Sequence, residues 1–303
     1  MLKKFFCLTL CLALLSGLAA CGNGNSSKLD DGKIRVSVTF NALKEFTEAV
    51  GGDRVEISTL IPDGTEPHDF EPKAKDLVSL SRARVFVYNG LGMEAWAEDT
   101  VAAVGNRNLI VVDASAGIQP LSNSDPDQIS EHGEYDPHSW LSLKCAEIEI
   151  SNIRDALVRA DPDGRAYYEE NCGVYISRLE NLYTEYAGKF GAAAKKIFVT
   201  GHAAFAYFCR DFGLTQKSVE DVFAEGEPSA QQLTELVEYC KSNNVKTVFS
   251  EALASPDVSQ TLASEAGAKV ETIYTFESSE DGGSYFERME SDLSKIYASL
   301  SES

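Results

Sequence analysis

The sequence predicts an α/β protein of two lobes, each a mostly parallel sheet flanked by helices, joined by one long rigid helix, with a binding site in the cleft between the lobes. Three observations predict it. Short β-branched runs alternate with helix-periodic segments. That alternation occurs twice, once on each side of the stretch Pro162 to Phe190. The stretch itself has no proline after Pro162 and carries one apolar stripe. At 303 residues and 44% hydrophobic content the chain can bury a full core and divide into two lobes.

The elements follow in order. Lys3 and Lys4 precede an apolar run too short to span a bilayer and ending in small residues, which reads as an export signal over residues 1–20. Cys21 follows "LAA", a stretch resembling the bacterial lipoprotein processing motif, in which the cysteine is lipidated. Acyl chains there would anchor the protein to a membrane. Residues 21–33, with "GNGNSSKLDDGK", read as a flexible tether. The N-terminal lobe, 34–161, offers the strands "KIRVSVTF", "RVEISTL", "RVFVYNG" and "NLIVVDA", separated by helical segments such as "NALKEFTEAVG". The linking helix takes 162–192, where Tyr168, Cys172, Tyr175, Leu179, Leu182 and Tyr186 recur at steps of three and four; it should run roughly 40 Å. The C-terminal lobe, 193–303, repeats the alternation with "KKIFVT", "VKTVFSE" and "AKVETIYT" between helical segments, one opened by a Ser229–Gln232 capping box.

The formal charge is −20, from 27 basic and 47 acidic residues. That excess argues against nucleic acid or an anionic lipid face as partner and favours attraction of cations. Beyond Cys21 stand Cys145, Cys172, Cys209 and Cys240 with no Cys-x-x-Cys pair, so neither a zinc ribbon nor a thioredoxin motif is present. They read as small buried apolar residues, with disulfides open to an exported chain.

Four histidines occur: His68, His132, His138 and His202. His68 follows the strand "VEISTL", His202 comes two residues after "KIFVT", and His138 sits at a loop-to-helix junction. Ligands of open α/β sheets bind beyond the carboxyl ends of strands, so residues at such ends in both lobes converge on the cleft. Three neutral imidazoles suit Zn²⁺ and need one carboxylate to close a tetrahedron. Glu277, Glu280 and Asp281, all beyond "AKVETIYT", are candidates that spacing alone does not separate.

"PHDFEP", "DPHSWL", "GHAAFAYF", "YNGLGMEAW" and the late "FES" together resemble the metal-binding lipoproteins that serve zinc and manganese ABC importers, the cluster 9 solute-binding proteins, in their zinc-type form. The resemblance runs over nearly all of the chain beyond the tether. It implies two α/β lobes joined by a rigid helix and a receptor rather than an enzyme, with His68, His138, His202 and Glu277 as metal ligands. It further implies Zn²⁺ as the transported ligand, an ABC permease with its ATPase as partners, and a monomer lipid-anchored outside the cytoplasmic membrane. Manganese members tend to place a carboxylate where this chain has His202 and an aspartate at the last position. Three nitrogens and a glutamate favour Zn²⁺ over Mn²⁺, the alternative ligand. Many zinc relatives carry a histidine-rich loop before the second ligand, whereas "SNSDPDQISEHGEYD" has only His132 among five acids. That loop is expected to gather metal weakly and pass it inward.

Competing readings are weaker. Gly90, Gly92 and Ala95 with Asp113 imitate a dinucleotide fingerprint, a common outcome wherever a strand meets a helix. A three-histidine zinc hydrolase would need a general base at fixed spacing, and no His-Glu-x-x-His occurs. An adhesin role leaves no motif to read.

Overall fold

The β-branched runs become two four-stranded sheets. In the first, β1 (Ile34–Val38), β2 (Val55–Thr59), β3 (Val85–Tyr88) and β4 (Ile110–Asp113) lie in the order β2-β1-β3-β4. In the second, β5 (Ile197–Thr200), β6 (Thr215–Ser218), β7 (Thr247–Glu251) and β8 (Lys269–Ile273) repeat that order as β6-β5-β7-β8. Every pairing between these eight strands is parallel. Parallel neighbours require crossovers, and helices supply them. The computed structural model describes residues 32–123, 129, 133–222, 229–252, 256–279 and 282–302. Residues from Ile34 onward form one compact unit.

The helices are α1 (Asn41–Gly51), α2 (Ala74–Ser81), α3 (Ala97–Val104), α4 (Leu143–Ala160), α5 (Arg165–Ala192), α6 (Ala206–Phe212), α7 (Ala230–Ser242), α8 (Asp257–Ala266) and α9 (Tyr285–Ser301). The Ser229–Gln232 capping box opens α7 as its sequence predicts, and Ser284 with Glu287 does the same for α9. The central helix α5 has 28 residues, about 42 Å at 1.5 Å each. Its start is fixed by Asp161, whose carboxylate accepts from the Gly164 amide at 3.2 Å and from the Tyr168 hydroxyl at 2.8 Å. Its end is held by Lys196, whose ammonium donates to the Phe190 carbonyl and, at 3.1 Å, to that of Gly191. A cation there also meets the negative end of the helix dipole.

One core joins the two halves. Val38, Phe40 and Leu43 from the first sheet and α1, Tyr168, Leu179 and Phe190 from α5, and Phe198, Phe208 and Leu293 from the second half share it. The outer face of each sheet has its own small cluster, Leu60, Leu80 and Phe86 in the first and Val199, Val248 and Leu262 in the second. The predicted α5 stripe is buried at Tyr168, Cys172, Leu179 and Tyr186, while Tyr175 and Leu182 pack half-buried against the core.

Two elements escaped the sequence reading. Strand β6, "TQKS", is a polar edge strand with alternating exposure, so it carries no run of apolar residues to detect. Helix α2 is short and buries only Asp76 and Leu80. The four cysteines of the body are free thiols, all buried, so the disulfide option is not realised. Among the described residues no helix is long and apolar enough to cross a membrane. Cys21, His132, Glu280 and Asp281 lie outside the described residues.

Candidate metal centre

Each predicted histidine arrives from a different carboxyl-end loop. His68 follows β2, His138 caps the 3-10 turn Ser139–Leu141 ahead of α4, and His202 follows β5. Their donor atoms all lie within 4.8 Å of one another. The His68 and His138 Nε2 atoms are 3.3 Å apart. Two donors on one tetrahedral Zn²⁺, each at 2.0–2.1 Å, would stand about 3.4 Å apart. The pair is therefore spaced as ligands of a shared ion are. The cluster is buried: the His68 ring is 2% exposed, and His138 and His202 are 0% and 5% exposed.

The second ring nitrogens define the tautomers. His138 Nδ1 is 2.9 Å from Asp136 Oδ1, which also accepts the His138 amide at 2.9 Å. A carboxylate only accepts, so Nδ1 carries the proton and Nε2 presents its lone pair toward His68. His202 Nε2 stands 3.0 Å from the Val222 carbonyl, so there Nε2 carries the proton and Nδ1 the lone pair. Burial, and then the neighbouring His138, push the His202 imidazole down to about 3. It stays neutral, the form that ligates a metal.

The loops are fastened on all sides. Asp136 receives the Tyr207 hydroxyl from α6 on its carbonyl at 2.7 Å, and the Pro137 carbonyl accepts from Asn89 Nδ2 at 2.8 Å. Ser139 Oγ donates to Glu149 at 2.6 Å, a carboxyl that burial raises to about 8. The His202 amide donates to Glu251 at 3.0 Å, another buried carboxyl, raised to about 7. Gly201 admits that carboxylate, since a Cβ there would collide with Glu251 Oε2.

Glu277 sits past β8 on a loop tied down at several points. The Tyr274 amide donates to Asp292 at 3.1 and 3.2 Å, Arg288 donates to the Ser278 carbonyl at 3.0 Å, and Trp140 Nε1 donates to the Thr275 carbonyl at 2.6 Å. Phe276, wholly buried, takes φ +64°, a left-handed conformation costly for a bulky residue. That turn sets the direction of Glu277, whose Oε2 accepts from Thr275 Oγ1 at 2.8 Å. The Gly64 amide donates to Ser278 Oγ at 2.9 Å and the Ser279 amide to Asp63 at 3.1 Å, which lashes the His68 loop to the Glu277 loop.

The three histidines form one donor group, and Glu277 forms a second with His68 and Glu66. Sequence reasoning passed over Glu66, Asp136 as a hydrogen-bond partner, and Glu251. For the first two a signal existed: His68 and His138 are each preceded by an acid and a proline, as Glu66-Pro67-His68 and Asp136-Pro137-His138. Nothing near His202 in sequence marks Glu251.

The apparent dinucleotide loop is filled by its own protein. Glu94 accepts the Asn89 and Gly90 amides at 2.9 and 3.1 Å and the Thr39 hydroxyl at 2.6 Å. The amides that would cradle a phosphate already hold a buried carboxyl. Gly90 has φ +88°, and a Cβ there would meet Asp113, so the glycine serves this packing.

Residues 36–299 match the family described as ZnuA, "Zinc-uptake complex component A periplasmic". The chain is 44% identical over 304 residues, 96% of each chain, to a protein of Treponema pallidum (strain Nichols) described as "Putative metal-binding protein". It is 36% identical over 316 residues, 99% of each, to the "High-affinity zinc uptake system protein ZnuA" of Bacillus subtilis (strain 168). Among solved structures, the Zn(II)-bound ZnuA-like domain of Streptococcus pneumoniae AdcA superposes with a TM-score of 0.77 at 33% identity, over 89% of this chain and 100% of that one.

Proposed function

The chain belongs to the ZnuA family of periplasmic zinc-uptake components, and from that premise we propose that it is an extracytoplasmic receptor that captures Zn²⁺ and delivers it to an ABC import permease. Its family is one of transport proteins, so the ion is cargo and the site has no reaction to perform. One observation carries the reading: three histidines, 70 and 64 residues apart in sequence, bring their donor atoms within 4.8 Å with their rings buried.

His68, His138 and His202 supply neutral nitrogens and Glu277 the carboxylate that closes the shell. Three nitrogens and one oxygen favour Zn²⁺ over Mn²⁺. Asp136 strengthens the donor on His138, and the two lashed loops keep His68 and Glu277 at one spacing. The export signal over 1–20, the lipidated Cys21 and the tether to residue 33 complete the proposal. They would hold a monomer at the outer face of the cytoplasmic membrane, within reach of the permease and its ATPase.

Native mass spectrometry with metal analysis of the mature chain tests this. One tightly held zinc per chain is expected, its affinity sharply reduced in His138→Ala with an unchanged circular dichroism spectrum. Zinc affinity in that variant equal to that of the unaltered chain, or preferential uptake of Mn²⁺ from an equal mixture, would overturn the assignment.

A further inference from the structure

His68 belongs to two groups of donors at once. Beside the histidine cluster, Glu66 and Glu277 each bring a carboxylate oxygen within 4.8 Å of its ring nitrogen and of each other. The two groups differ in access to water. The Glu66 side chain is 39% exposed, while the His68 ring is 2% exposed and Glu277 5%.

The two acid-proline-histidine stretches show why Glu66 stands where it does. The short Asp136 folds back on its own histidine and takes both the amide and Nδ1–H at 2.9 Å. Glu66 is one methylene longer. It accepts the His68 amide at 3.5 Å, and its Oε1 lies 4.0 Å from His68 Nε2, the nitrogen that faces His138. The longer acid thus reaches the metal-facing side of the ring, with its other face in solvent.

We propose that Glu66, His68 and Glu277 form an outer receiving site for a divalent cation, from which the ion passes to the three histidines. The proposal rests on the zinc-receptor reading above. Two carboxylate oxygens and one imidazole give a hard, anionic donor set, suited to capturing a hydrated Zn²⁺ at the mouth of a strongly acidic protein. In the transfer the Zn–O bond to Glu66 breaks while Zn–N bonds to His138 and His202 form from the lone pairs of neutral imidazoles. His68 and Glu277 stay bound throughout, waters leave, and neither protons nor electrons are exchanged with the protein. An ion handed over in this way never has to shed all its ligands at once.

Stopped-flow zinc binding to the mature chain and to Glu66→Gln tests the relay, since the amide keeps the size and removes the charge. Association and dissociation should both slow by about tenfold, the scale on which partners of metal ligands act. X-ray absorption of the loaded variant should still report three nitrogens and one carboxylate oxygen. A second arm isolates the outer site: His138→Asn/His202→Asn should keep one weakly held zinc, and adding Glu66→Gln should remove it. Unchanged association in Glu66→Gln, or a folded double variant that binds no zinc or binds it regardless of Glu66, would overturn the relay. So would an altered oxygen count in the loaded single variant, which would make Glu66 a permanent ligand. Wild-type protein that takes up no zinc would instead bring down the receptor reading itself.

Discussion

The two sheets have the same strand order, yet the histidines they present are held by opposite means. His138, from the first half, leans on a charged Asp136 through its ring and its amide. His202, from the second, leans on the neutral Val222 carbonyl and depends on burial to stay unprotonated. A carboxylate behind an imidazole strengthens it as a ligand, while burial alone only denies it a proton. Both imidazoles are buried, so one topology prepares one nitrogen donor with a carboxylate behind it and the other with burial and a neutral carbonyl alone.

The largest effect should come from the desolvated partner, read as stability against pH in zinc-free protein. The folded His202 is lowered from its ordinary 6.5 to about 3, first by burial and then by His138. Below pH 6.5 the unfolded chain takes up a proton that the folded one refuses. This contribution is therefore full above pH 6.5 and drains as pH falls toward about 3, by about 1.4 kcal/mol per pH unit. Glu94 and Glu149, raised by burial to about 7 and about 8, work in the opposite sense, losing stability as pH rises above 4.5. Subtracting the curve of His202→Asn from that of wild type removes them. A flat difference between pH 6.5 and 4 would mean that His202 is not kept neutral by burial, and the contrast with His138 would collapse.

The next effect makes the two halves alike. Asp136→Asn leaves an oxygen to accept from the ring but removes the charge, so both histidines would then lean on neutral groups. Zinc affinity should fall about 10–100-fold, measured by competition with a chelator of known affinity. An unchanged affinity would show that the carboxylate only positions the ring.

How much of this was legible follows the same division. The strands of the first sheet were plain because they carry β-branched runs whose residues sink into the shared core, as Val36, Val85 and Val87 do. Strand β6 was not, because an edge strand of Thr, Gln, Lys and Ser is stabilised by backbone pairing and by side chains such as Gln216, which donates to Thr200 and to the His202 carbonyl. The three histidines were legible through their places after strands and before a helix. The placing of Glu277 beside His68 was not derivable from spacing, because it depends on the left-handed turn at Phe276 and on cross-links to Asp63 and Gly64 more than 200 residues away. Such contacts follow from the packing of the halves, to which local sequence is blind.

The smallest effect concerns the seam that lets the two halves be compared at all. Trp140 is wholly buried, stands 4.7 Å from the Phe40 ring and 5.2 Å from that of His138, and donates from Nε1 to the Thr275 carbonyl at 2.6 Å. It therefore joins the His138 turn of the first half to the Glu277 loop of the second. Trp140→Phe keeps most of the apolar burial but takes the donor from a carbonyl two residues before Glu277. The cost should be about 1–2 kcal/mol of stability, a fall in Tm of about 2–4 °C for each kcal/mol. Zinc affinity should drop less than in Asp136→Asn, because every donor atom and the His138 tautomer remain. If affinity instead fell by more than in Asp136→Asn, the position of the Glu277 loop would outweigh the electrostatics behind His138, and the ranking of the two halves would reverse.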